Sequence, residues 1–435
     1  MNIRFYNARI YTMEPGREIF HGEVWIKDDR IAQVAEDALL QKLYAEHFLP
    51  NLHWDLEIDC KDDLLMPGLK NGHTHSPMTF LRSLADDKPL QDWLHTDVFP
   101  NEEKLTPDDI YDFARLAILE YLSGGTTSIF DMYINPPVVA QACMDSGFRC
   151  VLTSGLNDFT SSVDQTLREF ETLNHINPLI SYRLGFHAEY TTSPDRLKAL
   201  ADAAGSMKAP VYTHLAETKK EVEECRERYG MSPVAYLNSI GMFDYGGGGF
   251  HCVHVDEEDI RILKDRKVSV ITNPASNCKL ASGIAPIKAF LDAGVNVGIG
   301  TDGAASNNCL DMWREIYLTA VLAKLREEDA ACIGADRVLS MAVSGNAKAM
   351  GLESADCLSQ GKLADLILVD LKAPNMVPEH HIPKNLVYAG SRENVRLTMI
   401  GGRILYKDGE FFIGESADSI LQKCEIRAKR IFASL

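Results

Sequence analysis

Hydrophobic and polar residues alternate at both ends of the chain. The alternating runs lie at residues 3–13, 23–35, 56–60, 364–371 and 395–411. A period of two is typical of strands with one buried face, so these runs predict small β units. Because each unit alone would leave open edges, we expect strands from both ends to pair into one β-sandwich.

Between these ends the pattern changes to short apolar runs separated by longer segments. The eight runs lie at 64–69, 126–132, 149–154, 182–188, 210–215, 248–254, 268–272 and 295–301. Helix-like stretches separate several of them, for example 108–122, 196–204 and 286–293. This alternation predicts a (β/α)8 TIM barrel, whose chemistry lies at the C-terminal ends of its strands. An open doubly wound sheet is the alternative, although no GxGxxG follows the first run.

The chain length favours one large domain and one smaller unit. At 435 residues the chain exceeds a usual single domain, and its 46% hydrophobic fraction is enough for a sizeable core. We predict residues 1–65 as the N-terminal part of the β-sandwich and 66–360 as the barrel. Residues 361–435 are then the C-terminal part of the sandwich, with a terminal helix.

Charge and cysteine content narrow the classes of function. A formal charge of −18 argues against binding to nucleic acid or to anionic lipid. No run approaches the roughly 20 apolar residues of a membrane span, and the first residues lack the apolar core of a secretory signal. The ten cysteines form no CxxC pair, so reduced thiols are the simplest interpretation. We expect a cytoplasmic protein that binds neither nucleic acid nor membrane.

Two histidines stand two residues apart in the segment MPGLKNGHTHSPMTF, at residues 66–80. In a strand, alternate residues point the same way, so His73 and His75 can face one point. Two imidazoles aimed together make half of a tetrahedral zinc site. The alternative is a surface pair without function, and further ligands elsewhere in the chain decide between the two.

Further ionisable residues lie at the ends of other predicted strands, namely His187, His214, His251 and Asp302. Each has an ordinary explanation. His187 or His251 alone would be a core or rim histidine, and Asp302 could cap a helix. Glu217, three residues after His214, could belong to the charged first turn of a helix. Six such residues on one face of a barrel, counting His73 and His75, favour a single site over independent coincidences.

The motifs PGLKNGHTH, THLAE, HCVH, NPASNCKL and GTDGAASNN together resemble the amidohydrolase superfamily, in its cytosine-deaminase-like branch. The resemblance covers nearly the whole chain. It is strongest to the 5-methylthioadenosine/S-adenosylhomocysteine deaminases. HxH alone is a weak signal, whereas the ordered set of motifs is specific.

This resemblance implies one divalent metal per chain, with zinc expected, held by His73, His75, His214 and Asp302. Relatives with two metals carry a lysine at the end of the fourth strand, and GFHAEY at 185–190 has none. The catalytic residues implied are Glu217 as proton shuttle, His251 to orient the water, and Asp302 to pass a proton to the leaving ammonia.

The resemblance also implies substrate-binding residues. Glu102 would reach ribose hydroxyls, although Glu103 beside it leaves the assignment open by one position. His187 would contact the substrate, and Trp93 would form part of the apolar wall of a nucleoside pocket. For Trp93 the alternative is a core-packing role. We also expect a homo-oligomer.

One departure from the family pattern bears on the substrate. Relatives that handle S-adenosylhomocysteine well commonly carry arginine at the end of the third strand, where this chain has Ser154. The sequence therefore predicts deamination of a 6-aminopurine nucleoside with a neutral 5′ group, such as adenosine, 5′-methylthioadenosine or 5′-deoxyadenosine, in preference to S-adenosylhomocysteine. The alternatives are hydrolysis of a cyclic amide or a carbon–halogen bond at the same site, and a non-catalytic scaffold.

Overall fold

The computed structural model describes residues 1–45, 53–84, 86–88 and 90–433. The strands are β1 Asn2–Ile10, β2 Phe20–Lys27, β3 Arg30–Glu36, β4 Leu56–Asp59, β5 Leu64–Pro67, β6 Leu69–Thr74, β7 Thr126–Met132, β8 Arg149–Thr153, β9 Ile180–Tyr182, β10 Leu184–Gly185, β11 Val211–Leu215, β12 Gly247–His251, β13 Val268–Thr272, β14 Val297–Ile299, β15 Leu366–Val369, β16 Val395–Ile400, β17 Arg403–Lys407 and β18 Glu410–Phe411.

The α-helices lie mostly between the strands of the central part. They are α1 Asp37–Ala45, α2 Leu90–Trp93, α3 Phe99–Glu102, α4 Pro107–Ser123, α5 Pro136–Ser146, α6 Val163–Leu173, α7 Pro194–Met207, α8 Lys219–Tyr229, α9 Pro233–Ser239, α10 Glu257–Asp265, α11 Pro274–Lys279, α12 Ile287–Ala293, α13 Ala304–Asn307, α14 Met312–Glu327, α15 Ala335–Ser340, α16 Asn346–Met350, α17 Ile382–Tyr388 and α18 Ala417–Ile431. A π-helical turn, Leu94–Val98, joins α2 to α3. Within the described residues, no helix is both long enough and apolar enough to cross a bilayer.

Strands from both ends of the chain share one nine-stranded sheet. Its central junction is the antiparallel pair of β5 and β15, in which Leu366 lies opposite Pro67. The sheet curls back on itself, so that its edge strand β3 meets the segment just before β15. There the backbone N–H of Ile31 donates to the carbonyl of Lys362 at 2.9 Å. One apolar core fills its interior, with side chains that include Phe5, Val24, Leu65, Leu366, Leu397 and Met399. The prediction of a β-sandwich built from both chain ends is confirmed.

The parallel strands form two arcs, β6-β7-β8-β9 and β10-β11-β12-β13-β14. The arcs meet at two seams. At one, the backbone N–H of Arg183 donates to the carbonyl of Leu152 at 2.8 Å. At the other, the N–H groups of Thr301 and Asp302 donate to the carbonyl of His73 at 3.1 and 3.0 Å. The predicted (β/α)8 barrel is confirmed, and its fourth strand is split into β9 and β10.

The first predicted barrel strand, 64–69, needs a correction. Leu64–Pro67 belongs to the nine-stranded sheet, and the barrel strand is Leu69–Thr74. The chain changes sheets at Gly68, where a Cβ would lie 2.0 Å from the side chain of Thr127. Both strands are buried on both faces, so the hydrophobic pattern alone cannot separate them. As a result His73 lies inside its strand and His75 directly after it.

The helix predictions agree with the structure at three places. The stretch 108–122 lies in α4, where Thr106 forms a capping box with Asp109 and Pro107 occupies the first turn. The stretch 196–204 lies within α7, and 286–293 closely matches α12.

The terminal helix α18 packs against a barrel helix. Its Arg427 pairs with Asp109 of α4 at 3.3 Å, and the Cys424 thiol lies 3.3 Å from the carbonyl oxygen of Asp112. The domain boundaries expected from the sequence, after residue 65 and after residue 360, stay a prediction.

Candidate active site

Four side chains converge at the C-terminal end of the barrel. His75 Nε2 lies 3.2 Å from Asp302 Oδ1 and 3.3 Å from His214 Nε2, while His73 Nε2 lies 3.5 Å from the same carboxylate oxygen. The ligand atoms of His73, His214, His251 and Asp302 all lie within 4.8 Å of one another. The structure therefore brings together the four predicted metal ligands and His251.

Backbone carbonyls orient two of these imidazoles. His214 Nδ1 donates to the carbonyl of His187 at 2.7 Å, and His75 Nδ1 donates to that of Met132. A carbonyl only accepts hydrogen bonds, so each Nδ1 carries a proton and each Nε2 faces the cluster. His73 instead stacks on Phe250, with ring centroids 3.8 Å apart.

The carboxylate of Asp302 is held from its far side. Oδ2 accepts hydrogen bonds from Ser276 Oγ at 2.6 Å and Ser306 Oγ at 2.8 Å, which leaves Oδ1 facing the histidines. Asp302 has φ of 60°, in the left-handed region that non-glycine residues rarely occupy. His251 shares this feature with φ of 73°, and such strained positions cluster at functional sites.

The electrostatics of the cluster suit a cation. Burial lowers the pKa of His73 to about 3 and that of His214 well below its usual value. Burial also opposes charge on His75, yet the neighbouring Asp302 carboxylate raises the pKa of His75 to about 9. A proton on His75 thus provides a positive charge beside Asp302, and a bound metal ion would replace that proton.

The donor set passes a direct test of fit to one divalent metal. Neither ring nitrogen of His73 has a hydrogen-bond partner among the described residues, although the side chain is fully buried. The Nε2 atoms of His75 and His214 lie only 3.3 Å apart, so a positive charge, either a proton or a metal ion, is needed between them. Three imidazoles and one carboxylate are a common zinc ligand set, so the cluster fits a single divalent metal.

The two predicted proton-handling groups lie beside the cluster. Glu217 Oε1 is 4.0 Å from His251 Nδ1 and accepts a hydrogen bond from Ser282 Oγ at 3.4 Å. Burial raises the pKa of Glu217 above its usual value. His251 Nδ1 donates to Asn277 Oδ1 at 2.7 Å, so its Nε2 lone pair is free for a water or a substrate.

A cleft with about 780 Å³ of empty space opens above the cluster. One wall is apolar and comes from the segment between residues 90 and 102, with Trp93, Leu94, Val98 and Phe99 among its lining residues. Trp93 is 4% exposed and, besides lining the cleft, packs into the adjoining core. Its contact with a nucleoside stays a prediction.

The predicted polar contacts also line the cleft. Glu102 lies there half-buried, whereas Glu103 is exposed and does not line it. Burial raises the pKa of Glu102 to about 7. His187 is half-buried, and its Nδ1 lies 2.9 Å from Thr191 Oγ1; burial lowers the pKa of His187 to about 4. Of the two candidates, Glu102 is the one that lines the cleft, and its contact with ribose stays a prediction.

Ser154 does not face the cleft. Its hydroxyl bonds to Thr166 Oγ1 of α6 at 3.0 Å, and its backbone N–H donates to the hydroxyl of Tyr182. The side chain at the position of the family's arginine is therefore turned away from the cleft, and the preference for neutral 5′ groups stays a prediction. Gly155, Asn157 and Thr160 line the cleft instead, and none of its lining residues within the described chain is lysine or arginine.

Three residues that support the site had no role in the sequence prediction. Asn277 orients His251, and Ser282 contacts Glu217. Glu221 accepts backbone hydrogen bonds beside Glu217. Asn277 lies in one of the motifs, NPASNCKL, and Glu221 is visible as the last residue of a T-x-x-E capping box. For Ser282 the sequence holds no comparable signal.

The barrel, the curled sheet and the His/Asp cluster define a metal-dependent hydrolase, and comparison with known proteins gives the family. Residues 64–405 match the model of the Amidohydrolase family, and the chain belongs to this family.

Individual relatives cover most of the chain. A 5-methylthioadenosine/S-adenosylhomocysteine deaminase of Dictyoglomus thermophilum is 40% identical over 86% of this chain and 89% of its own. A protein of the same name from Pelotomaculum thermopropionicum is 38% identical over 99% of both chains. The crystal structure of an adenosine deaminase from Xanthomonas campestris with bound zinc is 32% identical, with a TM-score of 0.92 over 99% of this chain and 98% of that one.

Proposed function

We propose that this protein catalyses the metal-dependent hydrolytic deamination of a 6-aminopurine nucleoside. The observation that carries the proposal is the pairing of the buried cluster of His73, His75, His214 and Asp302 with Glu217 and His251 at the base of the cleft. The similarity to relatives named as deaminases of adenosine, 5-methylthioadenosine and S-adenosylhomocysteine supports it. Water and the aminopurine are consumed, and the 6-oxopurine and ammonia are released.

His73, His75, His214 and Asp302 would hold one divalent metal, expected to be zinc. The similar Xanthomonas structure has bound zinc. When bound, the metal lowers the pKa of a coordinated water and so supplies a nucleophile near neutral pH. The carbonyl contacts of His75 and His214 keep both Nε2 lone pairs aimed at this point, which limits the reorganisation needed on binding.

Proton transfer is assigned to three residues. Glu217 takes a proton from the attacking water and delivers it to the ring nitrogen next to the reacting carbon. Its buried position favours this exchange, since burial raises the pKa of Glu217 toward neutral pH. His251 accepts a hydrogen bond from the water through Nε2. Asp302 takes the second proton of the added water from the hydroxyl on the reacting carbon and passes it to the amino group, which leaves as ammonia.

Substrate contacts are assigned to the walls of the cleft. The Glu102 carboxylate accepts hydrogen bonds from the ribose hydroxyls, His187 contacts the substrate through Nε2, and Trp93 packs against its apolar surface. The absence of lysine and arginine from the described lining supports a preference for neutral 5′ groups, because an amino-acid carboxylate would find no charged partner there.

The test is a panel of adenosine, 5′-methylthioadenosine, 5′-deoxyadenosine and S-adenosylhomocysteine. Loss of the aminopurine absorbance and release of ammonia are followed with protein of known metal content, and Glu217→Gln serves as the inactive control. We expect turnover of at least the three neutral compounds with one metal per chain. Turnover of a cyclic amide or a chlorinated heterocycle without ammonia release from any aminopurine would contradict the proposal.

We also propose that the protein acts in the cytoplasm as a homo-oligomer and without nucleic acid. The charge of −18 and the lack of paired cysteines support this setting. Light scattering during gel filtration gives the subunit number, and cell fractionation gives the location. A monomer in solution, or protein recovered with membranes, would contradict this part of the proposal.

A further inference from the structure

A sharp turn separates the proposed metal ligand His214 from the proposed proton shuttle Glu217. In a continuing strand, side chains three residues apart point to opposite faces, so Glu217 would face away from the cluster. Ala216 breaks this alternation, since its φ of 49° lies in the left-handed region. The turn at Ala216 is therefore what lets both side chains reach the same cleft.

One buried carboxylate holds this turn. Glu221 Oε1 accepts the backbone N–H of Ala216 at 2.7 Å, and Oε2 accepts those of Glu217 at 2.8 Å and Thr218 at 3.5 Å. Glu221 is 3% exposed. From the other side, the Ala216 carbonyl accepts the N–H groups of Val253 and His254. The left-handed residue is thus fixed at both its N–H and its carbonyl.

These contacts go beyond helix capping. In an ordinary capping box the glutamate accepts the N–H of the N-cap residue, which here is Thr218. That contact is the longest of the three, and the two shorter ones reach upstream to residues 216 and 217. A cap alone would also not require a second carboxylate to be buried next to Glu217, which is electrostatically unfavourable.

We propose that Glu221 is a positioning residue that fixes the turn at Ala216 and thereby aims Glu217 at the substrate. The inference rests on the proposed function, because it acts through Glu217. Loss of Glu221 should lower kcat and leave substrate binding and metal content nearly unchanged, since the metal ligands and the apolar wall are held by other contacts.

Glu221→Gln is the central variant, because it keeps the size of the side chain while one oxygen becomes an N–H donor that faces backbone N–H groups. We expect kcat to fall about 10–100-fold, as for other residues that orient a site from outside it. KM should change less than about threefold, with one metal per chain retained. Glu221→Asp, which withdraws the carboxylate by one methylene, is the second variant and should lose kcat in the same way.

Three controls separate positioning from stability. Glu223→Gln changes an exposed residue of the same helix and should leave kcat unchanged. Thr218→Ala removes the side-chain cap, which accepts the Glu221 N–H at 3.1 Å, and should lower the melting temperature with kcat retained. In the double variant Glu217→Gln/Glu221→Gln, kcat should be no lower than in Glu217→Gln alone, because both changes act through one group.

The outcomes distinguish this inference from the proposed function. Wild-type protein that deaminates no aminopurine would overturn the proposed function itself. Active wild type together with wild-type kcat in both Glu221 variants would overturn only the role of Glu221. An equal loss of kcat in Thr218→Ala, or a further loss in the double variant, would show that Glu221 acts through helix stability or independently of Glu217.

Discussion

The two sides of the cleft are built in different ways. On one side, His73 and His214 lie in barrel strands, His75 directly follows β6 and Asp302 follows β14. Backbone carbonyls or serine hydroxyls hold His75, His214 and Asp302, and His73 stacks on Phe250. On the other side, the wall between residues 90 and 102 consists of two four-residue helices joined by a π-helical turn. The proposed metal ligands therefore lie on or near the barrel strands, and the proposed apolar substrate contacts lie on a segment outside the strands.

Polar contacts tie the segment before this wall to the barrel: Asp86 accepts hydrogen bonds from Lys279 and, at 3.1 Å, from Asn308. Apolar side chains of the wall, such as Trp93 and Val98, pack into the adjoining core. This difference implies that changes in the cluster abolish the reaction, whereas changes in the wall shift KM and substrate preference.

The largest effect is expected for Asp302→Asn. The amide is a weaker metal ligand, and it cannot pass the proton to ammonia, so metal occupancy should fall sharply and kcat/KM should drop by more than about 10⁴-fold. Elemental analysis and the ammonia assay measure both effects. Asp265→Asn, at an exposed position of α10, is the matched control. Full activity with an empty site would disprove the assignment of Asp302.

Glu217→Gln should keep the metal and the fold, and its kcat should be lower by about 10²–10⁴-fold or more. General acid–base groups contribute in this range, and Glu217 both accepts the proton of the water and delivers it to the ring nitrogen. Metal content, circular dichroism and turnover of adenosine are the measurements. Near-normal turnover would assign the proton transfer to another group.

On the wall side, S-adenosylhomocysteine should be used about 10–100-fold less efficiently than 5′-methylthioadenosine, because a charge-assisted contact worth about 1.5–3 kcal/mol is missing. Thr160→Arg sharpens the test, since Thr160 lines the cleft and is exposed. It should raise kcat/KM for S-adenosylhomocysteine and leave that for 5′-methylthioadenosine unchanged. Ser154→Arg, buried against α6, should destabilise the fold without this gain. A wild-type preference for S-adenosylhomocysteine would contradict the neutral-group model.

The smallest effect is expected at Glu102. Burial raises the pKa of Glu102 to about 7, so the carboxylate is charged above this pH and gains a proton below it. KM of the wild type should therefore rise as pH falls through about 7. In Glu102→Gln, KM should be about tenfold higher at pH 8 and independent of pH between 6 and 8. A wild-type KM that stays constant over this range would contradict a ribose contact by the ionised carboxylate.

Sequence reasoning predicted the cluster side better than the wall side. Strand ends follow directly from apolar runs, so His214 and Asp302 could be located by their place after β-rich segments. The boundary between β5 and β6 could not, because Leu64–Pro67 and Leu69–Thr74 are equally buried and only the partner strands distinguish them.

Side-chain direction in loops was the other limit. Ser154 follows its strand by one residue, and the sequence does not show that its hydroxyl turns to Thr166 rather than to the cleft. The role of Glu221 depends on the left-handed conformation of Ala216. Glycine is the usual signal of that conformation in a sequence, so an alanine gives no indication of it. Such features arise from tertiary contacts and become visible only in the structure.

The joint sheet of the two chain ends has a consequence for how the chain folds. β5 lies near residue 65 and its partner β15 near residue 367, so the central pairing of the sheet joins segments about 300 residues apart. Contacts of such separation form slowly, because a long loop must close first. During synthesis, the edge of β5 stays open to other chains until β15 has emerged. A protein truncated after residue 360 would keep this edge open permanently and should aggregate, even though every proposed catalytic residue is present.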